Sequence, residues 1–368
     1  MKGTIGLSAA LGLCAGAALA GGIERTTQSA MILFEDGNYG EVSLGYGAPS
    51  LTGVDVLGNP IDDVANDYFL PGFGLKMDLN DKVSAALVYD RPFGADIAYD
   101  PLNPILGGTT ATATTNTFTA LLKYQFNERI SAYGGLRYQF AEGAIGLQGA
   151  AYGPVSGYNV SLDRDGAAGY LVGVAYEVPE IALRVALTYN SEITHEMDTL
   201  ESLGGAPLAP PSVTEVKTPQ SVNLDFQTGI AQDTLLFGSI RWVEHSTFRV
   251  DPAGFVGATG GGLIDLEDTT TYRLGLGRRF NEKWTGSISL AYEAPGDELV
   301  SPLSPSTGFS QIALGAAYQA TETMEIAGGV SYTVVGDARP ETGTPDVARA
   351  DFSDNDAFGL GLRVSFNF

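Results

Sequence analysis

The carboxyl-terminal stretch Phe358-Gly359-Leu360-Gly361-Leu362-Arg363-Val364-Ser365-Phe366-Asn367-Phe368 alternates apolar residues with small or polar ones without a break. A period of two places every apolar side chain of this stretch on one face of an extended strand. Roughly 10 residues in a tilted strand suffice to cross the hydrocarbon of a bilayer. The face is therefore predicted to meet lipid, as the last transmembrane strand of a barrel. The same pattern recurs upstream. Leu183, Val185, Leu187 and Tyr189 interleave with Arg184, Ala186, Thr188 and Asn190. Trp284, Ile288, Leu290 and Tyr292 interleave with Thr285, Ser287, Ser289 and Ala291.

Extending the pattern along the chain gives fourteen candidate strands, near 38–48, 67–78, 82–96, 115–126, 130–144, 167–178, 181–196, 219–232, 234–249, 270–281, 283–295, 309–320, 323–336 and 355–368. The connections alternate in length. Asn80-Asp81, Asn127-Glu128-Arg129, Pro179-Glu180, Gln232-Asp233, Asn281-Glu282 and Thr321-Glu322 are tight polar turns. Those between run 49–66, 97–114, 145–166, 197–218, 250–269, 296–308 and 337–354. Short turns on one side and long loops on the other mark an outer-membrane barrel, and an even strand count lets it close. Tyr124, Phe126, Tyr176, Phe280, Trp284 and Tyr318 fall near strand ends, where an aromatic girdle is expected. The fold class is thus all-β, a 14-stranded antiparallel transmembrane β-barrel.

Residues 1–20 pair a basic start (Lys2) with an apolar run and Ala18-Leu19-Ala20, which reads as a secretory signal peptide. Cys14, the sole cysteine, falls within it, so the processed chain is expected to form no disulfide. No later stretch is long and apolar enough for a helical span. A net charge of −23 argues against nucleic acid as a partner. His195 and His245, the only histidines, read as rim residues, and two are too few for a metal site without carboxylates to complete it. Asp265-Leu266-Glu267-Asp268 is the densest acidic cluster. No Gly-x-Ser-x-Gly elbow or P-loop occurs, and Ser246 beside His245 points to the opposite face. Neither an enzyme nor a cofactor is expected.

Several phrases in order resemble the long-chain fatty acid transporters of the Gram-negative outer membrane, the FadL/TodX-like family. They are Gln28-Ser29-Ala30, Arg91-Pro92-Phe93-Gly94, Leu183 to Thr194 after Pro179, Thr218-Pro219-Gln220-Ser221-Val222, Ile240-Arg241-Trp242 with Ser246-Thr247-Phe248, and Lys283-Trp284-Thr285. The resemblance implies three segments: a signal peptide over 1–20, a short luminal plug over 21–37 and the barrel over 38–368. It also implies capture of a hydrophobic molecule by external loops, an internal binding site, and sideways exit at a kink in the third strand. The family often has Asn-Pro-Ala between its Gln-Ser segment and the first strand; here Met31-Ile32-Leu33-Phe34-Glu35-Asp36-Gly37-Asn38 stands instead, and the plug reads as shortened.

The residues bear on each step. Burying an alkyl chain needs apolar walls, at ~0.8 kcal/mol per methylene. Leu147, Tyr152 and Val155 in the third long connection, with Met197, Leu200, Leu203 and Leu208 in the fourth, suit either an outer hydrophobic groove or simple packing over the barrel mouth. Pro92 removes a ladder donor and Gly94 frees the backbone, so Pro92-Phe93-Gly94 is either a lateral opening or an ordinary bulge. Arg137, Arg184, Arg241, Arg273, Arg279 and Arg363 fall on the luminal face. Each suits a carboxylate head group or a luminal Asp or Glu, and Arg137 and Arg273, inside their strands, are the first candidates for the ligand. The expected partners are a fatty acid or other hydrophobic ligand, outer-membrane lipid and lipopolysaccharide, and the barrel assembly machinery through Phe368. The expected state is a monomer. The alternative is a general outer-membrane porin or structural barrel protein.

Overall fold

A computed structural model of the chain describes residues 23–343 and 345–368. The expected signal segment, residues 1–20, lies outside the described residues. The chain forms a closed 14-stranded antiparallel barrel. Its strands are β1 (Tyr39–Ser50), β2 (Tyr68–Asn80), β3 (Val83–Asp90 and Gly94–Ala98), β4 (Thr110–Gln125), β5 (Ile130–Leu147), β6 (Tyr158–Val178) and β7 (Leu183–Asn190 and Ile193–Leu203). They continue with β8 (Ser212–Thr218 and Ser221–Ala231), β9 (Thr234–Val243), β10 (Thr269–Arg279), β11 (Trp284–Glu293), β12 (Thr307–Gln319), β13 (Met324–Gly336) and β14 (Asp356–Asn367). The ring closes where β1 pairs with β14, from Tyr39↔Asn367 to Ser50↔Asp356.

The alternation of β14 decides its two faces: Phe358, Leu360, Leu362 and Phe366 are exposed on the outer wall, while Ser365 is buried inside. Aromatic pairs border the apolar band. Tyr46–Phe69, Tyr89–Phe118 and Tyr170–Tyr189 lie toward the side of the long loops, and Tyr124–Phe126 and Trp284–Tyr318 toward the short turns. This is where amphipathic rings meet the two interfaces of a bilayer. The tight turns are fixed by their first residues. Asn80 Oδ1 accepts the N–H groups of Lys82 and Val83, Asn127 those of Arg129 and Ile130, and Asn281 those of Lys283 and Trp284.

On the opposite side, β5 runs on to Leu147 and β6 begins at Tyr158, where a loop over 145–166 was expected. Likewise β7 reaches Leu203 and β8 begins at Ser212, within the expected loop 197–218. These strands stand above the aromatic border. Thr194, Glu196 and Asp198 face outward there and are exposed, so the lipid-facing signature is lost although the period of two persists. The external segments close over the barrel in one buried apolar cluster that includes Leu51, Ile61, Tyr99, Leu106, Tyr158 and Phe352. Tyr99 Oη donates to the Pro302 carbonyl at 2.8 Å. Glu201, buried, accepts from Tyr158 Oη and from the N–H groups of Gly254 and Phe255, which pins helix α1 (Ala253–Thr259) onto the β6–β7 extension.

The amino-terminal segment lies in the lumen. Ile32, Leu33 and Phe34 pack against Tyr133, Leu171 and Ala186 of the wall. Gly74 makes room for them, since a Cβ there would lie 2.4 Å from Ile32 Cδ1. Lys76 Nζ donates to the carbonyls of Glu35 and Gly37. Burial pushes the Glu35 carboxyl up to about 7, with Arg363 opposing part of the rise. A carboxyl raised in the folded state stabilises docking while protonated. Its contribution is complete below its ordinary value of 4.5 and is lost as pH rises through about 7. The effect is on the order of 2 kcal/mol after solvent screening. Protease clipping of the segment is expected to be at least tenfold faster at pH 8 than at pH 5, and Glu35→Gln to abolish the difference. Equal clipping of the unmodified chain at both pH values contradicts this role.

Candidate ligand cavity and side window

Strand β3 is interrupted at Arg91-Pro92-Phe93. Across it, Asp90 faces Thr117 and Gly94 faces Thr114, so β3 carries one residue more than β4. That is a bulge, with Pro92 contributing no N–H. The β4 side remains joined: Phe93 N–H donates to Thr115 Oγ1 at 2.9 Å and the Thr115 hydroxyl returns a bond to the Phe93 carbonyl at 2.6 Å. The β2 side does not. The β2–β3 ladder ends at Phe73↔Tyr89, and from Tyr68 to Gly72 strand β2 pairs only with β1. Farther out the wall closes again, where Asn66 N–H bonds the Asp96 carbonyl and Ala98 N–H the Val64 carbonyl.

The window between is occupied by the amino-terminal segment. Arg25 and Thr26 donate their N–H groups to the Pro92 carbonyl at 2.7 and 3.3 Å, and Gly94 N–H bonds the Ile23 carbonyl at 2.8 Å. The Arg25 guanidinium lies 3.9 Å over the Tyr68 ring. The segment thus supplies the edge pairing that β2 withholds.

Directly inside this break lies a cavity of about 720 Å³ of empty space, its open mouth included. Phe93, Gly94 and Ala95 form one wall with Ile23. Ala111, Ala113, Ala141 and Gly143 give it a small-residue floor, Leu162, Met197 and Val216 a flank, and Phe248, Val250, Ile264 and Leu303 a roof from the external cap. Among the described residues that line it, Glu142 is the only one of formal charge. Such a space binds by apolar burial. A second, polar chamber, about 1230 Å³ with the open space it joins included, lies elsewhere in the lumen, bordered by Glu35, Glu41, Arg184, Asp225, Arg273 and Arg363.

The two head-group candidates are separated by this layout. Arg273 borders the polar chamber. Arg137 is buried and donates Nη2 to the Gln28 carbonyl at 3.3 Å, while its Nε and Nη1 have no partner among the described residues. Gln139 and Ala141, the next inward positions of β5, lead from Arg137 to the apolar cavity. Arg241 is committed to the amino-terminal segment: Nε bonds Glu24 at 2.5 Å, Nη2 bonds Gln28, and Nη1 reaches Ser221 and Asn223 of the wall. Arg279 pairs with Asp233 and Arg184 with Glu177.

Of the loop candidates, Leu147 and Met197 are buried in the cap core, and Met197 also lines the cavity. Tyr152, Val155, Leu203 and Leu208 are half-buried against that core, and Leu200 points outward, 55 % exposed. Both histidines, read as rim residues, are fully buried. His195 is held by Asp165 and Gln139 at 3.2 and 3.1 Å. Burial, with Arg241 adding to it, pushes the His245 ring down to about 3, so it stays neutral. In the acidic cluster, Asp265 pairs with Arg249, Glu267 accepts the Asp297 N–H and Asp268 the Ser246 N–H. The small-residue floor has its sequence signal in the alternating run Thr110-Ala111-Thr112-Ala113-Thr114.

A closed barrel with an apolar chamber, a capped mouth and a parted wall defines a class of outer-membrane carrier rather than an open pore. Residues 26–368 match the outer membrane protein transport protein family (OMPP1/FadL/TodX), and the chain belongs to that family. It is an outer-membrane transporter of hydrophobic molecules, and its family is one of transport proteins rather than enzymes. Among solved structures it is similar to a Pseudomonas aeruginosa FadL homologue, at 16% identity and a TM-score of 0.76, covering 96% of this chain and 97% of that one. It is also similar to the Pseudomonas putida toluene transporter TodX, at 13% identity and a TM-score of 0.66, covering 97% and 99%. The Ralstonia pickettii toluene transporter TbuX gives 12% identity and a TM-score of 0.62, covering 91% and 90%. These likenesses show the shared fold. No curated protein sequence matches the chain.

Proposed function

We propose that the protein carries long-chain fatty acids or other hydrophobic molecules inward without an energy source. They are captured on the external cap around Leu147, Tyr152, Val155, Met197, Leu200, Leu203 and Leu208, held in the apolar cavity, and released sideways at Pro92-Phe93-Gly94. The observation that carries this reading is that Phe93 and Gly94 belong at once to the cavity wall and to the edge of β3 that β2 leaves to the amino-terminal segment. Among the described residues, Ile23–Thr26 stand between a molecule in the cavity and the window. Residues 21–37 act as the plug, and movement of Ile23–Thr26 is the gating step. Replacing Pro92 and Gly94 together with valine is expected to favour pairing of β3 with β2 and to cut uptake of oleate at least tenfold while the barrel still folds. Unchanged uptake in that variant contradicts a sideways exit.

A carboxylate ligand gains a partner in the unpaired donors of Arg137, with Arg273 serving in the polar chamber beyond. Arg137→Ala is expected to weaken oleate binding about tenfold and toluene binding hardly at all, a difference of roughly 1.4 kcal/mol for a charge-assisted bond. Equal loss for both ligands contradicts the head-group role. Phe368, exposed at the β1–β14 seam with its N–H on the Asn38 carbonyl, is the element we assign to the barrel assembly machinery. The barrel is assigned as a monomer seated in outer-membrane lipid and lipopolysaccharide.

A further inference from the structure

A second ladder is broken, on another side of the same cavity. β6 and β7 pair up to Leu171↔Asn190 and again from Leu162↔Thr199. Between these points, residues 163–170 and 191–198 make no ladder pairs with each other, although the two stretches are equally long and the strands rejoin in register. Each strand keeps its outer neighbour: β6 continues along β5, with a bulge opposite Glu142, and β7 pairs with β8 from Ile193 to Thr199. On this side of the barrel the wall parts between β6 and β7.

Above the single backbone bond from Ser191 N–H to the Tyr170 carbonyl, side chains bridge the gap. The Asp165 carboxylate accepts the Glu196 N–H at 3.3 Å and lies 3.2 Å from His195 Nδ1. Ser191 and Tyr170 exchange two bonds of 2.9 Å at its lower end. Ile193 covers Gly169 so closely that a Cβ on Gly169 would lie 2.5 Å from Ile193 Cγ1. Among the described residues no segment is threaded here, in contrast to the β2–β3 window. On the inside, Met197, itself one of the unpaired residues, lines the apolar cavity together with Leu162. On the outside, the gap starts just above the Tyr170–Tyr189 pair of the aromatic border and is flanked by the exposed Thr194, Glu196 and Asp198, so it opens at the level of the polar head groups. The external cap above is a continuous packed core.

We infer that the β6–β7 gap is a second side opening, through which an apolar solute held among the outer head groups enters the cavity, with Asp165 and His195 as its latch. This rests on the transport reading above and divides its route: inlet between β6 and β7, outlet between β2 and β3. A ladder costs many cooperative hydrogen bonds to open, whereas side-chain bridges open by rotamer change, which is what an inlet requires.

The test is a reversible stitch. Ile193 lies against Gly169 across the gap, so Gly169→Cys with Ile193→Cys is expected to cross-link on oxidation. In vesicles carrying the double variant, oxidation is expected to slow oleate and toluene uptake at least fivefold, and reductant to restore it. Equal uptake in the oxidised and reduced states overturns the inlet while leaving the transport reading intact. Absence of apolar uptake by the unmodified chain overturns both. Should the double variant fail to fold, as shown by heat-modifiable gel mobility, Met197→Cys answers instead. A maleimide dissolved in the bilayer is expected to label it, and Gly169→Phe to slow that labelling at least fivefold. Equal labelling with and without Gly169→Phe overturns the inlet.

Discussion

Ala113→Phe is expected to reduce uptake of apolar solutes at least tenfold while the barrel stays folded. Ala113 sits on the cavity floor, opposite Ala95 on β3 and Gly143 on β5. A phenyl ring there fills the space that a ligand needs. Overpacking a formed interior costs about 1–3 kcal/mol. A barrel closed on itself by continuous ladders elsewhere absorbs that, so the loss falls on binding rather than on assembly. Oleate and toluene uptake into vesicles, with heat-modifiable mobility as the folding check, separates the two. Full uptake in a folded Ala113→Phe barrel removes the cavity from the route.

The second large effect concerns Arg241. Its guanidinium joins Glu24 and Gln28 of the amino-terminal segment to Ser221 and Asn223 of β8, all within the lumen. Both members of the ion pair are nearly inaccessible, at 4% and 5% of side-chain exposure. Removing one partner of such a pair leaves the other charge buried alone, at a cost of about 3–5 kcal/mol. Arg241→Ala is therefore expected to release the segment from its seat. In planar bilayers the variant should conduct ions where the unmodified protein is nearly silent, and protease should clip the segment readily. Restoring neutrality with Glu24→Gln and Arg241→Met together should recover most of the closure. An Arg241→Ala protein that stays silent and uncut contradicts the view that this cluster holds the lumen shut.

How far the sequence discloses these features depends on whether each is local. β14 is legible because its alternation carries its own register, and the turns at Asn80, Asn127 and Asn281 because each side chain satisfies the backbone beside it. The break at Pro92 is legible because proline cannot donate. What fills that break is not, since Arg25 and Thr26 reach Pro92 only after the chain has folded. The extensions of β5 to β8 escape a lipid-based reading because their outward residues, Glu196 and Asp198 among them, face water above the bilayer. His195 reads as a rim residue for the same reason, yet Gln139 and Asp165 enclose it from neighbouring strands. The cavity assembles residues from 23 to 303, and no window of sequence contains it.

This barrel is expected to pass apolar molecules through a dry chamber and a parted wall, not polar solutes down a wet bore. Paired flux in one vesicle preparation tests it most directly. With the purified chain reconstituted, oleate or toluene should equilibrate far faster than in protein-free vesicles, while arabinose should produce no osmotic swelling. Swelling in arabinose without any gain for the apolar solutes would contradict the account and make the protein a porin.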